Sequence, residues 1–397
     1  MDLGAIIRPG DALIWGQACA EPQTLVEAVI AQRAALSGCR IFLGSSYSGL
    51  LRPEHAEHLR FSSYCGTGTN RALADAGVLD ILPAPYSGLG ALIRSRRLPC
   101  DVVLLQVSPP NARGEYSLGL GVEYLAPALE VARAVIAEVN HQVPWTHTQP
   151  LLRRDEFDLV VQSSRAPAEL AYGAPGELES RIARRAAQWV PEGATVECGI
   201  GALPNAILGA LAGRALDYHS GVICENVRLL QPKRCVGGAL IGTRLLFDWA
   251  RENPAVTLTS SDVTHGAATL ARIERFVAIN SAVEVDFTGQ VNGEVARASY
   301  VGAVGGALDF IRAANQSQGG LSIVALPAAR IVERLSGPVS VPRSEAGVFV
   351  TEFGIADLRG GTLVERERRM RAITKEHTRP GAVGQNVPPA CSSRKGP

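Results

Sequence analysis

Short apolar runs alternate with amphipathic stretches along the first half of the chain. The runs at 11–16, 40–44 and 101–107 have strand length. The last is rich in Val and Leu and stops at Ser108-Pro109-Pro110, where proline cannot donate to a ladder. Thr24 and Glu27 have the spacing of a capping box, so a helix is predicted from there to about Leu36. A second helix is predicted over 124–136. Strands alternating with helices of this length imply a parallel sheet covered by helices.

Residues 166–176 are rich in Ala, Pro and Gly and read as a junction. Beyond it the pattern starts again. Ile182, Ala186 and Trp189 share one face of a helix predicted over 179–189. Pro191-Glu192-Gly193 then turns the chain into a strand at 194–198, and further strands are predicted at 256–259, 276–279, 282–287, 322–326 and 348–351. A chain of 397 residues exceeds one ordinary core. The expected architecture is therefore α/β, with two domains over 1–170 and 171–375. Residues 376–397 carry Pro, Gly, Ser and charge without periodicity and are expected to be a poorly ordered tail.

Composition narrows the function classes. Apolar residues make up 46% and charged residues 19%, as in globular proteins. Lys and Arg number 39 against 38 Asp and Glu, so no basic field is available for a nucleic-acid backbone. No run reaches the roughly 18 uninterrupted apolar residues that would span a membrane. The first residues lack a basic stretch followed by an apolar one, and a cytoplasmic protein is expected. None of the eight cysteines forms a Cys-x-x-Cys pair or a zinc-finger spacing with His, so reduced thiols are expected and no metal site.

Three stretches offer chemistry. In Glu197-Cys198-Gly199-Ile200-Gly201-Ala202-Leu203-Pro204 a strand enters a Gly-x-Gly turn, and a helix is predicted to begin near Pro204. Free N–H groups there suit an anion or a polarised carbonyl oxygen, although a tight connection needs the same glycines. A nicotinamide dinucleotide fingerprint is not met, because its third glycine is missing. In Val283-Glu284-Val285-Asp286-Phe287 two carboxylates share one face of a strand, either as a solvated face or as a pair lining a cleft. Gly302, Gly305 and Gly306 precede a helix through about Ala314 and permit close backbone approach, to a ligand or simply within a turn.

Gly199-Ile200-Gly201-Ala202-Leu203-Pro204-Asn205 resembles the CoA-binding turn of the acetyl-CoA hydrolase/transferase family. So do Asn70-Arg71-Ala72-Leu73, Gln106-Val107-Ser108-Pro109-Pro110, Ile279-Asn280-Ser281-Ala282-Val283-Glu284 and Thr351-Glu352-Phe353-Gly354. Several matches in order are more specific than any one of them. The resemblance implies two open α/β domains with the site in the cleft between them. It implies an acyl-CoA:carboxylate CoA-transferase or an acyl-CoA hydrolase acting on a short acyl-CoA of the acetyl or 4-hydroxybutyryl type. Its partners would be an acyl-CoA and a small carboxylate, with no permanently bound cofactor, and the chain would form a homodimer. Residues Gly199 to Leu203 would bind CoA, with Ile279, Gly302, Gly305 and Gly306 opposite them.

Members of this family use a glutamate nucleophile about twenty residues after the glycine turn. Here that context reads His219-Ser220-Gly221-Val222, which puts Gly221 at the nucleophile's position. Glu225 and Glu284 are candidate replacements, and His219 is a candidate general base for hydrolysis. For each of them a structural role, as a surface or salt-bridged acid or a hydrogen-bonded imidazole, is the commoner reading. A non-catalytic acyl-CoA-binding protein is the alternative. Lysines that meet CoA phosphates in the family, near 318 and 321, are absent, leaving Arg297 or Arg312 for that task.

Overall fold

The computed structural model describes residues 1–374, so the tail expected over 376–397 lies outside the described residues. The first half forms a seven-stranded sheet. Its spatial order is Leu79–Ile81, Arg60–Ser63, Arg40–Leu43, Ala12–Trp15, Val102–Val107, Ala134–Asn140 and Leu159–Ser163. Every pair is parallel. The chain builds outward from Ala12–Trp15 in one direction, then returns and builds outward in the other. The order therefore reverses between Ala12–Trp15 and Val102–Val107, a topological switch point.

The second half repeats this plan with eight strands. Thr195–Cys198 is followed outward by Asp217–His219, Cys235–Gly237 and Val256–Leu258. On its other side lie Phe276–Ser281, Leu321–Ala325, Val348–Val350 and Ile355–Asp357. Only the last pair is antiparallel. The switch point here falls between Thr195–Cys198 and Phe276–Ser281.

The halves are stitched by backbone. Gly121 pairs with Ala239, Glu123 with Ser260, and Thr148 with Leu258. In the other direction, Ala303 pairs with Cys65 and Gly305 with Pro85. One buried apolar cluster runs through both halves, from Ile14 and Val103 to Ile279 and Ile323.

Three local expectations are corrected. Thr24 does not cap the first helix, which spans Gln23–Ala31 and ends short of Leu36. The Thr24 N–H and hydroxyl instead donate to the buried carboxylate of Glu138, a tertiary contact that the spacing could not foresee. The helix expected over 124–136 stops at Val131, and Ala134–Asn140 is a central strand. The helix after the glycine turn is Ala202–Ala210, so Pro204 is its third residue, still within the first turn, where its missing N–H costs nothing.

Candidate functional site

The two switch points face each other across a cavity of about 290 Å³. Gln17, Tyr64, Tyr86 and Glu123 enter it from the first half. The second half supplies Glu197 to Ile200, Ser220 to Val222, His265, Asn280 and the backbone from Gly302 to Ala307. Ligands of open α/β sheets settle beyond the strand ends at such points. Here two of them close on one volume.

Gln17, two residues past the end of the strand Ala12–Trp15, organises the first wall. The Ser45 N–H and the Tyr64 hydroxyl donate to its Oε1, each at 2.8 Å. Those donors fix the orientation of the amide. Nε2 therefore faces Glu123 and donates to both carboxylate oxygens at 2.7 Å, and to the Tyr86 hydroxyl at 3.0 Å. Tyr86 also hydrogen-bonds Glu123. No cation pairs with Glu123 among the described residues. Burial pushes its carboxyl up to about 7, and the bonds from Gln17 and Tyr86 only partly offset this. Its backbone is left-handed, with φ 41°. That conformation costs about 1–2 kcal/mol in a residue with a Cβ.

Glu197 is a second buried carboxylate on the cavity wall. It sits on the regular strand Thr195–Cys198, and Asn280 Nδ2 donates to its Oε2 at 2.8 Å. Burial raises it to about 8. Below neutral pH both acids are therefore largely protonated, so neither adds a buried charge there.

His265 forms the floor between Gly221 and Gly306. Its ring packs 4.8 Å from Tyr86 and 4.5 Å from Phe310, centroid to centroid. Its Nδ1 is 2.9 Å from the Thr264 hydroxyl. Burial, with His219 nearby, lowers it to about 3, so the imidazole is neutral. A Cβ on Gly306 would lie 2.3 Å from its Nε2, which makes glycine the residue that admits the ring.

Of the residues expected from the sequence, Gly199, Ile200, Gly302, Gly305 and Gly306 line the cavity, and so does Gly221. Gly201, Ala202, Leu203 and Ile279 do not. The Gly199 N–H is already donated to the Ile279 carbonyl at 3.0 Å, so it is not free for a ligand. The Ile200 N–H has no acceptor among the described residues.

Glu225, Glu284 and His219 all lie off the cavity wall. Glu225 accepts the N–H and hydroxyl of Thr243, the residue capping the helix Arg244–Ala250, and its Oε1 lies 3.6 Å from Arg228. Glu284 belongs to a separate three-stranded sheet. It accepts from Asn292, from the Ser336 N–H and hydroxyl and from the Gly337 N–H. Burial raises it, but those donors together leave it below the usual carboxylate range. Asp286 is tied to Thr288 and Gln290, so the two acids of that strand do not form a pair in the cleft. His219 donates Nε2–H to the Thr264 carbonyl at 2.9 Å and packs edge-on against Phe276. Burial lowers it below the usual imidazole range. Arg312 pairs with Glu345, while Arg297 is exposed with φ 48°.

Sequence reading missed Gln17, Tyr86, Glu123, Glu197 and His265. For Glu197 a signal existed: an acid between Val196 and Cys198 on a short strand needs a buried partner or a purpose. For Glu123 there was none, because its position depends on a left-handed turn and a contact with the other half.

Two family models match the chain. The acetyl-CoA hydrolase/transferase N-terminal domain covers residues 2–167, and the C-terminal domain covers 242–382. Between them lies the segment holding Gly199 and Gly221. The 4-hydroxybutyrate coenzyme A transferase of Clostridium kluyveri is 32% identical over 383 residues, 90% of this chain and 89% of that one. The chain belongs to the acetyl-CoA hydrolase/transferase family. Its fold is similar to that of RipA from Yersinia pestis, with TM-score 0.87, 27% identity and coverage of 94% of this chain and 92% of that one. The 4-hydroxybutyrate CoA-transferase from Porphyromonas gingivalis gives TM-score 0.78 at 28% identity, with the same coverage.

Proposed function

We propose that the protein is an enzyme that removes CoA from a short acyl-CoA and passes it to a small carboxylic acid, with water as the competing acceptor. The observation that carries this reading is the cavity between the two switch points. Glycine backbone lines one side of it, and its other walls include two buried carboxylates, Glu123 and Glu197, that pair with no cation among the described residues. A volume of about 290 Å³ suits a short acyl group. The glycine segments 199–200 and 302–306 let backbone approach the thioester, and the Ile200 N–H supplies a donor for its carbonyl oxygen. The reading includes two domains divided near residue 170, a cytoplasmic homodimer and no resident cofactor. Among the described residues no helix is long and apolar enough to cross a membrane.

Release of free CoA thiol from acetyl-, butyryl- and 4-hydroxybutyryl-CoA tests the proposal, with and without acetate or succinate and with products identified by mass. A new acyl-CoA formed only with an acceptor supports transfer, and release without acceptor supports hydrolysis. No turnover with any combination defeats the enzyme reading. One observation favours a second reading, a binding protein without turnover: the His265 ring occupies the space into which a side chain at 221 would project. A raised melting temperature with acyl-CoA and no turnover would establish it.

A further inference from the structure

We propose that Glu123, carried by the first half of the chain, is the carboxylate that takes CoA from the thioester, in place of any residue of the 219–225 segment. This rests on the acyl-CoA reading above. Four observations lead to it. First, Glu123 reaches the neighbourhood of Gly221 from the opposite wall. A Cβ built on Gly238 would be 2.8 Å from Glu123 Cγ and 2.8 Å from the Gly221 carbonyl oxygen. Second, the Val122 N–H donates to the Gly238 carbonyl and the Glu123 carbonyl accepts from the Ser261 N–H. The second half thus grips the chain on both sides of Glu123 and holds it at φ 41°. A regular helix start would relieve that strain, and strain retained at a cavity wall points to use.

Third, Glu123 is held by neutral donors alone. Gln17 and Tyr86 orient its oxygens without a cation to quench their charge. Glu225 has Arg228 beside it, and Glu284 is saturated by backbone and hydroxyl donors away from the cavity. Fourth, Glu123 shares one cavity of about 290 Å³ with the glycine segments 199–200 and 302–306, where the thioester would lie.

The steps balance without an oxidant or a net proton. The Glu123 carboxylate adds to the thioester carbonyl, the C–S bond breaks and CoA leaves as thiolate. A mixed anhydride of the acyl group with Glu123 remains. The thiolate adds to the Glu123 carbonyl and the anhydride C–O bond breaks. The donor acid departs as its carboxylate, leaving Glu123 as a γ-glutamyl-CoA thioester. An acceptor carboxylate runs the same steps in reverse. Glu197 is the internal rival, since it lines the same cavity, but its strand is regular and Asn280 fixes it.

The test is trapping on the full wild-type chain. The protein is incubated with acetyl-CoA, reduced with borohydride, digested and mapped by mass. Borohydride converts a glutamyl thioester to a primary alcohol and leaves a free carboxylate unchanged. Turnover and acetyl-CoA-induced stabilisation are measured on the same preparation. The expected result is reduction at residue 123, dependent on acetyl-CoA. Reduction at Glu197, Glu225 or Glu284 overturns the proposal and leaves the acyl-CoA reading standing. Turnover with no reduced residue also overturns it. Absence of both turnover and stabilisation overturns the acyl-CoA reading itself, and the proposal with it. As a second arm, Glu123→Gln should lower turnover by at least roughly a thousandfold while acetyl-CoA still raises the melting temperature. Near-normal turnover in a folded Glu123→Gln chain counts against the proposal.

Discussion

A Cβ placed on Gly221 would lie 2.7 Å from Cε1 and 3.0 Å from Nε2 of His265. Such contacts require one partner to move. The imidazole is held by the Thr264 hydroxyl and packed between Tyr86 and Phe310, so it yields at a cost. Gly221→Ala should therefore destabilise the protein by about 1–3 kcal/mol. In a His265→Ala background the same change should cost less, and a double-mutant cycle from denaturant midpoints measures the coupling. Additive effects would mean that the ring moves aside freely. For the same reason Gly221→Glu alone should not raise turnover.

Glu123 sets opposite pH trends for rate and stability. As a nucleophile it must be ionised, so turnover should rise with pH through about 7. Its folded pKa lies above the reference value of 4.5, so the folded state binds the proton more tightly. Its stabilising contribution is then complete below about pH 4.5 and is lost as pH rises through about 7. Relative to Glu123→Gln, the wild type should lose roughly 2–4 kcal/mol across that window, read from urea midpoints at several pH values. A difference independent of pH would show that Glu123 titrates normally.

Gln17→Leu removes the amide that donates to both Glu123 oxygens and accepts from Ser45 and Tyr64. Losing those donors disfavours the ionised carboxylate. The acid limb of the pH–rate profile should move to higher pH. Stability should fall by about 1–3 kcal/mol because buried groups lose partners. An unmoved acid limb would remove Gln17 from the control of Glu123.

Glu225→Ala and Glu284→Ala should act on stability instead. The first leaves the Thr243 N–H and hydroxyl without their acceptor, and the second strands donors from Asn292, Ser336 and Gly337. Each should cost about 1–3 kcal/mol, with turnover per folded molecule kept within a few-fold. Turnover lost without a shift in the unfolding midpoint would return these residues to the chemistry.

The periodicity of the chain determined a good deal. Apolar runs of strand length between amphipathic stretches required parallel sheets with covered faces, and the Ala/Pro/Gly stretch at 166–176 falls between the last strand of one sheet and the first of the other. The glycines of 199–201 and 302–306 were legible as places of close backbone approach, because a missing side chain is a local property. Local patterns misled where a distant partner won. Thr24 and Glu27 had the spacing of a cap, but Glu138 on a central strand offered Thr24 a better acceptor. The stretch 134–136 continued a helical pattern, yet it pairs with Val102–Leu104 in the sheet. The carboxylates of the cavity were decided by the tertiary structure alone. Glu225 and Glu284 were near the expected motifs in sequence, but their side chains are spent on a helix cap and on a surface turn. Glu123 and Gln17 lie more than a hundred residues apart and meet because the sheet reverses its order beside Ala12–Trp15. A hydrogen bond across that separation exists only once the first sheet has formed, and the burial that raises the acid towards neutrality only once both halves have closed on the same space.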